Sequence, residues 1–160
     1  MKQSSFFKNK DFQKEFGGEL LRNKRKGIRP LSTKNPLHLV LRADIETSGS
    51  LLKYRRLINS TLSHYSKKFD INVYEQGLAY NHFHLVLRFK NRKNYKSFIR
   101  AISGVLAKAL KLKWVYRPFS KVIDWGRHFK KACAYALKNE LEGMGIIPYK
   151  KRGRYHPPSG

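Results

Sequence analysis

The sequence predicts an α+β fold from the order of its periodic segments. Four segments have the alternation or the β-branched and aromatic content of strands, and two segments between them carry the apolar stripe of a helix. A third helical segment follows the last strand. This βαββαβ order, joined by right-handed crossovers, packs as a ferredoxin-like antiparallel sheet with an additional C-terminal helix.

The first half of the domain is predicted as strand, helix, strand. The strand over residues 37–44 follows the break at Pro36, and its side chains alternate between two faces. Ser50 is placed to cap a helix that runs to about Phe69. Residues 71–80 are rich in β-formers and predict the second strand.

The second half is predicted as strand, helix, strand. A tight turn near Asn81 leads into a strand over residues 82–89, and a long helix with an apolar stripe spans about residues 94–112. The last strand, residues 114–123, is interrupted at Pro118. Because proline cannot donate a hydrogen bond to a neighbouring strand, we expect an edge position for it.

The composition predicts one globular and strongly basic domain. The chain has 160 residues, 41% of them hydrophobic, which is enough for one sizeable core. Lysine and arginine total 35 against 10 acidic residues, a net charge of +25. Self-repulsion on this scale is tolerated when the partner is a polyanion. Since the charge is spread along the chain, we expect nucleic acid and no membrane as the partner.

The number of cysteines and the lengths of the apolar segments indicate the cellular compartment of the protein. Cys133 is the single cysteine, so there is no zinc-type cysteine pair and no intramolecular disulfide. No apolar run approaches the ~20 residues of a membrane span, and the first residues lack the apolar core of a signal peptide. We expect a reduced compartment, the cytoplasm.

Basic residues are dense at both ends of the chain. We divide it into a basic N-terminal arm at residues 1–30, the folded domain at 31–147, and a basic tail at 148–160 that we expect to be disordered. For the basic block of the arm, phosphate contact and simple solvation are equally good interpretations. Its candidate DNA-binding residues are Arg22, Lys24, Arg25, Lys26 and Arg29.

Two histidines open the third predicted strand, with Phe83 between them. Because a strand alternates its faces, His82 and His84 point to the same side, where two imidazoles can hold one divalent metal ion. An isolated pair of this kind is more often structural. In the predicted topology the first and third strands are neighbours, so further polar residues share this face, away from the two long helices. They are His38, Arg42 and Arg88, which are candidate DNA-binding residues.

The last helix, about residues 125–142, carries Tyr135 and Asn139 four residues apart, so that both project together. Considered alone, Tyr135 is equally well interpreted as a half-exposed surface residue without a function and as a functional residue. Glu140 is the misfit on the apolar side. That side is predicted to hold Phe129, Cys133, Ala136, Leu137, Leu141 and Met144, and the polar side His128, Lys131, Tyr135, Asn139 and Glu142.

These residue types together suggest a chemistry. A metal held by two imidazoles and an amide oxygen keeps open positions, and Mg²⁺ or Mn²⁺ there can polarise a phosphodiester oxygen. The Tyr135 hydroxyl can attack phosphorus and form a reversible 5′-phosphotyrosine link, which suits strand transfer. Lys131 and Lys138 lie within a turn of Tyr135 and could favour its phenolate or hold phosphates. With Arg127 they are candidate DNA-binding residues.

The paired pattern of His82-Phe83-His84 and Tyr135-x-x-x-Asn139 resembles the single-tyrosine HUH transposases of the IS200/IS605 type and the REP-associated tyrosine transposases. Residues 81–85 (NHFHL) are similar to the NHxHL of the second group. The segment from Tyr135 to Gly145 is similar to its YxxxNxxxAG helix. The resemblance covers about residues 26–147, and also includes Lys26 to Ser32, Arg117-Pro118-Phe119 and Trp125-Gly126-Arg127.

The resemblance implies an HUH endonuclease fold in which His82, His84 and Asn139 bind Mg²⁺ or Mn²⁺ and Tyr135 is the nucleophile. It also implies single-stranded DNA as the substrate, often beside a hairpin, and a bacterial, nucleoid-associated protein. Some such proteins are homodimers that exchange the tyrosine helix and others are monomers, so both arrangements stay open. Gly126 is a candidate hinge for either.

Two departures and two alternatives remain. Asn139-Glu140 stands where the family has Asn-Pro, and Gly143 or Met144 stands where it has Ala, which bears on the choice of DNA site. A non-catalytic single-stranded nucleic-acid-binding module is the first alternative. A domesticated transposase that acts as a host protein is the second.

Overall fold

A five-stranded antiparallel sheet forms the centre of the protein, in the strand order β1-β5-β2-β4-β3. The structure is a computed structural model that describes residues 14–24, 27–44, 46 and 49–150. The strands are β1 (Glu15–Phe16), β2 (Leu37–Arg42), β3 (Ile71–Leu78), β4 (His82–Phe89) and β5 (Phe119–Val122). The helices are α1 (Arg55–Lys68), α2 (Arg92–Leu110) and α3 (Arg127–Gly143).

The predicted α+β class and βαββαβ order are confirmed. Strand β2 pairs with β4 in the centre, and β3 and β5 flank them, which is the ferredoxin-like order. The central register sets Leu41 opposite Phe83 and Arg42 opposite His82. None of the helices in the described part of the chain is both long and apolar enough to span a bilayer.

Helices α1 and α2 cover one face of the sheet and enclose the main core. As predicted, Phe83, Leu85, Leu87 and Phe89 point into this core. Burying a side chain of this size stabilises the fold by about 1.5–3 kcal/mol. Polar side chains cap the starts of both helices. Ser50 accepts a hydrogen bond from Leu52 N at a 3₁₀ turn that leads into α1, as predicted, and Asn91 caps α2.

Helix α3 covers part of the other face, and it lies very close to the sheet. Ala136 packs with Val86 of β4 and Ile123 in a second small core. A Cβ atom at Gly77 of β3 would lie 2.0 Å from the backbone oxygen of Ala136, so only glycine permits this approach. Glu140 ties the helix down further, because it accepts hydrogen bonds from Arg55 and from the backbone N–H of Leu78.

The predicted edge position of the last strand is wrong. Strand β1, which lies within the predicted N-terminal arm, pairs with the outer side of β5 and so becomes the edge. The turn after β1 uses Gly17 at φ 87°, where a Cβ would lie 2.1 Å from the Pro118 oxygen. The strand itself is shorter than predicted, and Trp114 makes only an isolated bridge with Ala43. The division of the chain at residue 30 stays a prediction.

The predicted apolar side of the last helix is partly wrong. Leu137 and Met144 are 45% and 52% exposed, whereas Asn139 is buried. Glu140, the predicted misfit, faces the sheet and is satisfied there. The reason is steric: the close approach at Gly77 places the small side chain of Ala136 against the sheet, and the larger side chains of Leu137 and Met144 lie away from this contact.

Candidate active site

His82 and His84 lie on the α3 side of β4, as the alternation predicts. Their ring centroids are 4.8 Å apart and the rings are nearly perpendicular. His84 is only 4% exposed, and His82 is half-buried. Nδ1 of His82 lies 2.7 Å from Oδ1 of Asn81. Because an amide oxygen can only accept, Nδ1 of His82 carries the proton and its Nε2 presents a lone pair.

His38 of β2 lies beside His84 on the same face of the sheet. The rings are stacked with centroids 5.2 Å apart, and Nε2 of His38 is 3.0 Å from Nδ1 of His84. The register explains the contact, since His38 pairs with Val86 and is therefore diagonal to His84. Burial, and secondarily the positive charge of Lys121, lowers the pKa of His38 to about 4, so its ring is neutral near pH 7.

Tyr135 projects from α3 over this pair. Its ring centroid is 5.2 Å from that of His84 and 6.1 Å from that of His38, with the rings nearly perpendicular in both contacts. The side chain is 38% exposed. It borders a cavity of about 330 Å³ together with His38, His84, Arg42 and Phe119. A ligand in this cavity would therefore contact the tyrosine, a histidine and an arginine at once.

Asn139 lies one turn after Tyr135 and is 6% exposed. Its Nδ2 donates to the backbone oxygen of Tyr135 over 2.7 Å, which leaves Oδ1 as its acceptor. Asn139 and His82 border a second cavity of about 500 Å³, and Arg42 borders both cavities. Arg42 thus lies between a cavity lined by Tyr135 and His84 and a cavity lined by His82 and Asn139.

The donor set decides which metal could bind. Among the described residues, no group of three or more His, Cys, Asp or Glu side chains could hold a metal ion. The predicted set contains two such side chains, His82 and His84, and its third member is the amide of Asn139. Imidazole nitrogens with one amide oxygen suit a transition metal better than Mg²⁺, which prefers oxygen ligands.

Two predicted DNA-binding residues, Arg42 and Lys131, border cavities that Tyr135 also borders, and four others are exposed or paired elsewhere on the described surface. Arg42 borders both cavities, and Lys131 borders a third one together with Tyr135 and His38. Lys138 is directed to Glu142 at 3.7 Å. Arg127 is exposed at the start of α3, and the arm residues Arg22 and Lys24 are exposed in the turn after β1.

Other predicted DNA-binding residues lie elsewhere. Arg29 lies on the α1/α2 side of the sheet: its Nη1 donates to Ser120 Oγ at 2.5 Å, its guanidinium stacks 4.4 Å from the Phe16 ring, and burial lowers its pKa. Nε of Arg88 donates to the Thr33 oxygen. The side chains of Arg29 and Arg88 are thus seen to bind other residues of the protein, and their predicted role in DNA binding stays a prediction. Arg25 and Lys26 lie outside the described residues.

Charged residues that β5 brings to the site were not predicted from the sequence. Lys121 pairs with His38 across the sheet, and it forms an ion pair with Glu15 at 2.8 Å. Asp124 follows β5, and hydrogen bonding from Lys14 lowers its pKa. The alternation of residues 119–122 predicts which face of the strand carries Lys121. It places Lys121 beside His38 only when the pairing of β5 with β2 is known.

Comparison with known proteins supports the fold. No protein-family profile and no curated protein matches the chain. Among solved structures it is similar to a REP-associated tyrosine transposase bound to a REP hairpin, with a TM-score of 0.64 and 13% identity over 77% of this chain and 76% of that one. A proposed transposase from Deinococcus radiodurans R1 matches with a TM-score of 0.46 and 13% identity over 72% and 97% of the two chains.

The first of these likenesses extends over three quarters of both chains, and it agrees with the resemblance inferred from the histidine and tyrosine motifs. At this level of identity it concerns the backbone arrangement alone. The chain therefore has the α+β fold of a REP-associated tyrosine transposase.

Proposed function

We propose that this protein cleaves single-stranded DNA and transfers strands through a covalent 5′-phosphotyrosine, as in DNA transposition. The observation that carries the proposal is the position of Tyr135, whose half-exposed ring lies 5.2 Å from that of His84 at the edge of a cavity. The fold and the net charge of +25 support a nucleic-acid substrate. The similar transposase is bound to a REP hairpin, so we propose hairpin-bearing DNA as the partner.

In the proposed reaction, Tyr135 Oη forms a bond to a phosphorus atom of the DNA backbone while the bond from that phosphorus to the 3′ oxygen breaks. The phenol proton passes to solvent, and the leaving 3′ oxygen takes up a proton from solvent. The 5′ phosphate stays on the tyrosine until another 3′ hydroxyl attacks it and restores the phenol. Arg42 would hold the phosphate between the two cavities.

His82, His84 and Asn139 are the residues that would hold a divalent cation. When bound, Mn²⁺ or Mg²⁺ would polarise the phosphodiester and stabilise the charge that develops on it. The proton that His82 Nδ1 donates to Asn81 fixes the ring that would serve as one ligand. A homodimer that exchanges α3 stays a prediction.

The test is a covalent-adduct assay. Labelled single-stranded oligonucleotides carrying the hairpins that flank the gene are incubated with the protein and Mn²⁺ or Mg²⁺ and run on a denaturing gel. We expect a protease-sensitive, slowly migrating DNA band that is absent in Tyr135→Phe, in His82→Ala and with EDTA. The matched control is Tyr74→Phe, since Tyr74 is as exposed as Tyr135 (39%) but packs against Trp125; it should keep the band.

A non-catalytic single-stranded nucleic-acid-binding protein is the second candidate. The observation that favours it is the net charge of +25 with Arg127, Lys131 and Lys138 exposed on α3, because these charges can hold a nucleic acid without any reaction of Tyr135. On this hypothesis the protein binds the same oligonucleotides tightly, Tyr135→Phe binds equally well, and no band resists denaturation. That result would replace the catalytic proposal. A domesticated transposase that keeps the chemistry would give the band and differ only in its cellular role.

A further inference from the structure

We propose that His38 is a positioning residue, which accepts a hydrogen bond from Nδ1–H of His84 and so holds His84 in the tautomer that presents Nε2 to a divalent cation. The role in metal binding rests on the proposed function. The choice of tautomer rests on it as well, whereas the short contact between the two rings is a property of the metal-free protein.

The geometry allows only one proton between the two rings. Nε2 of His38 and Nδ1 of His84 are 3.0 Å apart, within hydrogen-bond distance. Each neutral imidazole has one N–H donor and one acceptor nitrogen. The pair therefore has two arrangements: either His84 donates and keeps a lone pair on Nε2, or His38 donates and His84 carries its proton on Nε2.

The neighbouring ligand candidate favours the first arrangement. Nδ1 of His82 donates to Asn81, which puts the lone pair of His82 on Nε2. If His84 donates to His38, both histidines use Nδ1 to bind the protein and both offer Nε2 to the same side of β4. Metal-binding histidines usually donate their second ring nitrogen to an acceptor in this way, and loss of such an acceptor weakens metal affinity by about 10–100-fold.

The sheet holds His38 in this position. Strand β2 is the centre of the sheet and pairs with both β4 and β5, so the backbone of His38 is fixed on both sides. Its ring also contacts the rings of Phe119 and Tyr135 at its edges. Because His38 touches Tyr135, loss of DNA cleavage in a variant would not show how it acts, and the test needs measurements made without DNA.

The test compares two substitutions that differ in one property. In His38→Gln the side-chain oxygen can still accept a hydrogen bond, whereas His38→Leu has a side chain of similar bulk with no acceptor. Two-bond ¹H–¹⁵N NMR spectra of ¹⁵N-labelled, metal-free protein report which nitrogen of each histidine is protonated. His84→Gln assigns the His84 signals. Electron paramagnetic resonance then measures Mn²⁺ binding to the same samples.

We expect His84 to be protonated on Nδ1 in the wild type and in His38→Gln, and to shift toward the Nε2-protonated form in His38→Leu. Mn²⁺ should bind about tenfold or more weakly to His38→Leu and nearly normally to His38→Gln. Protonation of wild-type His84 on Nε2, or an unchanged tautomer in His38→Leu, would overturn the proposal.

The two measurements also separate this proposal from the proposed function. If Mn²⁺ bound equally well to the wild type and to His38→Leu, positioning for metal would be refuted. If the wild type bound no Mn²⁺ while His84 showed the expected tautomer, the metal step of the proposed function would be wrong and the hydrogen bond from His84 to His38 would stand. Normal circular dichroism of both variants confirms that they fold.

Discussion

Among single residues, Tyr95 shows how a buried polar atom affects stability away from the site. Its ring packs against that of Phe89 and is 3% exposed, and its hydroxyl is buried with no hydrogen-bond partner among the described residues. Since a buried hydroxyl without a partner costs about 1–3 kcal/mol, Tyr95→Phe should raise the free energy of unfolding by about 1 kcal/mol at pH 7. Urea unfolding measures the change.

The same residue predicts a pH dependence. Burial, opposed in part by the charge of Arg29, raises the pKa of Tyr95 to about 12. The unfolded chain therefore loses this proton first, near pH 10, and the folded state is destabilised relative to it as the pH rises from 10 to 12. The loss amounts to about 2–3 kcal/mol for a shift of about two units. Tyr95→Phe should not show this part of the alkaline destabilisation.

The control for both measurements is Tyr80→Phe, since Tyr80 is 53% exposed. It should leave the stability unchanged at pH 7 and keep the same alkaline loss as the wild type. If Tyr95→Phe were less stable than the wild type at pH 7, the Tyr95 hydroxyl would have a partner that stabilises the fold, and the predicted gain in stability would be wrong.

At the scale of whole elements, the contact between α3 and β3 decides where the tyrosine lies. Gly77→Ala would place a Cβ atom 2.0 Å from the Ala136 oxygen, next to Tyr135. A clash with a backbone atom cannot be relieved by a change of side-chain rotamer. The whole of α3 must therefore shift away from β3, or the folded state must lose stability. We expect Gly77→Ala to lower the melting temperature and to reduce the yield of the covalent adduct.

The matched control is Gly104→Ala. Gly104 lies inside α2, and a Cβ there would meet no atom of the described residues within 4 Å. Because alanine favours a helix over glycine by about 1 kcal/mol, this variant should be slightly more stable and fully active in the adduct assay. Equal stability and equal activity of Gly77→Ala and the wild type would show that α3 does not lie this close to the sheet.

The sequence predicted the elements whose signals are local. Alternation placed His82, His84, His38 and Arg42 on one face, since a strand's faces follow from its own residues. The orientation of α3 could not be predicted in this way, because it depends on the contact between Gly77 and Ala136, which are far apart in the chain. The two-residue strand β1 gives no periodic signal, and its partner β5 lies about a hundred residues away.

At the scale of the whole molecule, the net charge of +25 predicts DNA binding that weakens steeply with salt. The structure divides the positive charges between two faces of one sheet. Lys131 and Lys138 are exposed on α3, beside Tyr135. Lys67 and Lys93 are exposed on α1 and α2, which cover the opposite face. If DNA binding depended only on the net charge of the protein, removing either pair of lysines would weaken it equally.

We expect the two pairs to differ, because a phosphate contact releases counterions only where the strand lies. The double variant Lys131→Gln/Lys138→Gln should reduce the slope of log Kd against log salt by about 0.7 for each lost contact with single-stranded DNA. Lys67→Gln/Lys93→Gln removes the same charge and should leave that slope unchanged. Fluorescence anisotropy at several salt concentrations measures both. Equal slopes in the two variants would mean that the DNA does not lie along α3, and the site would then need to be sought on another face.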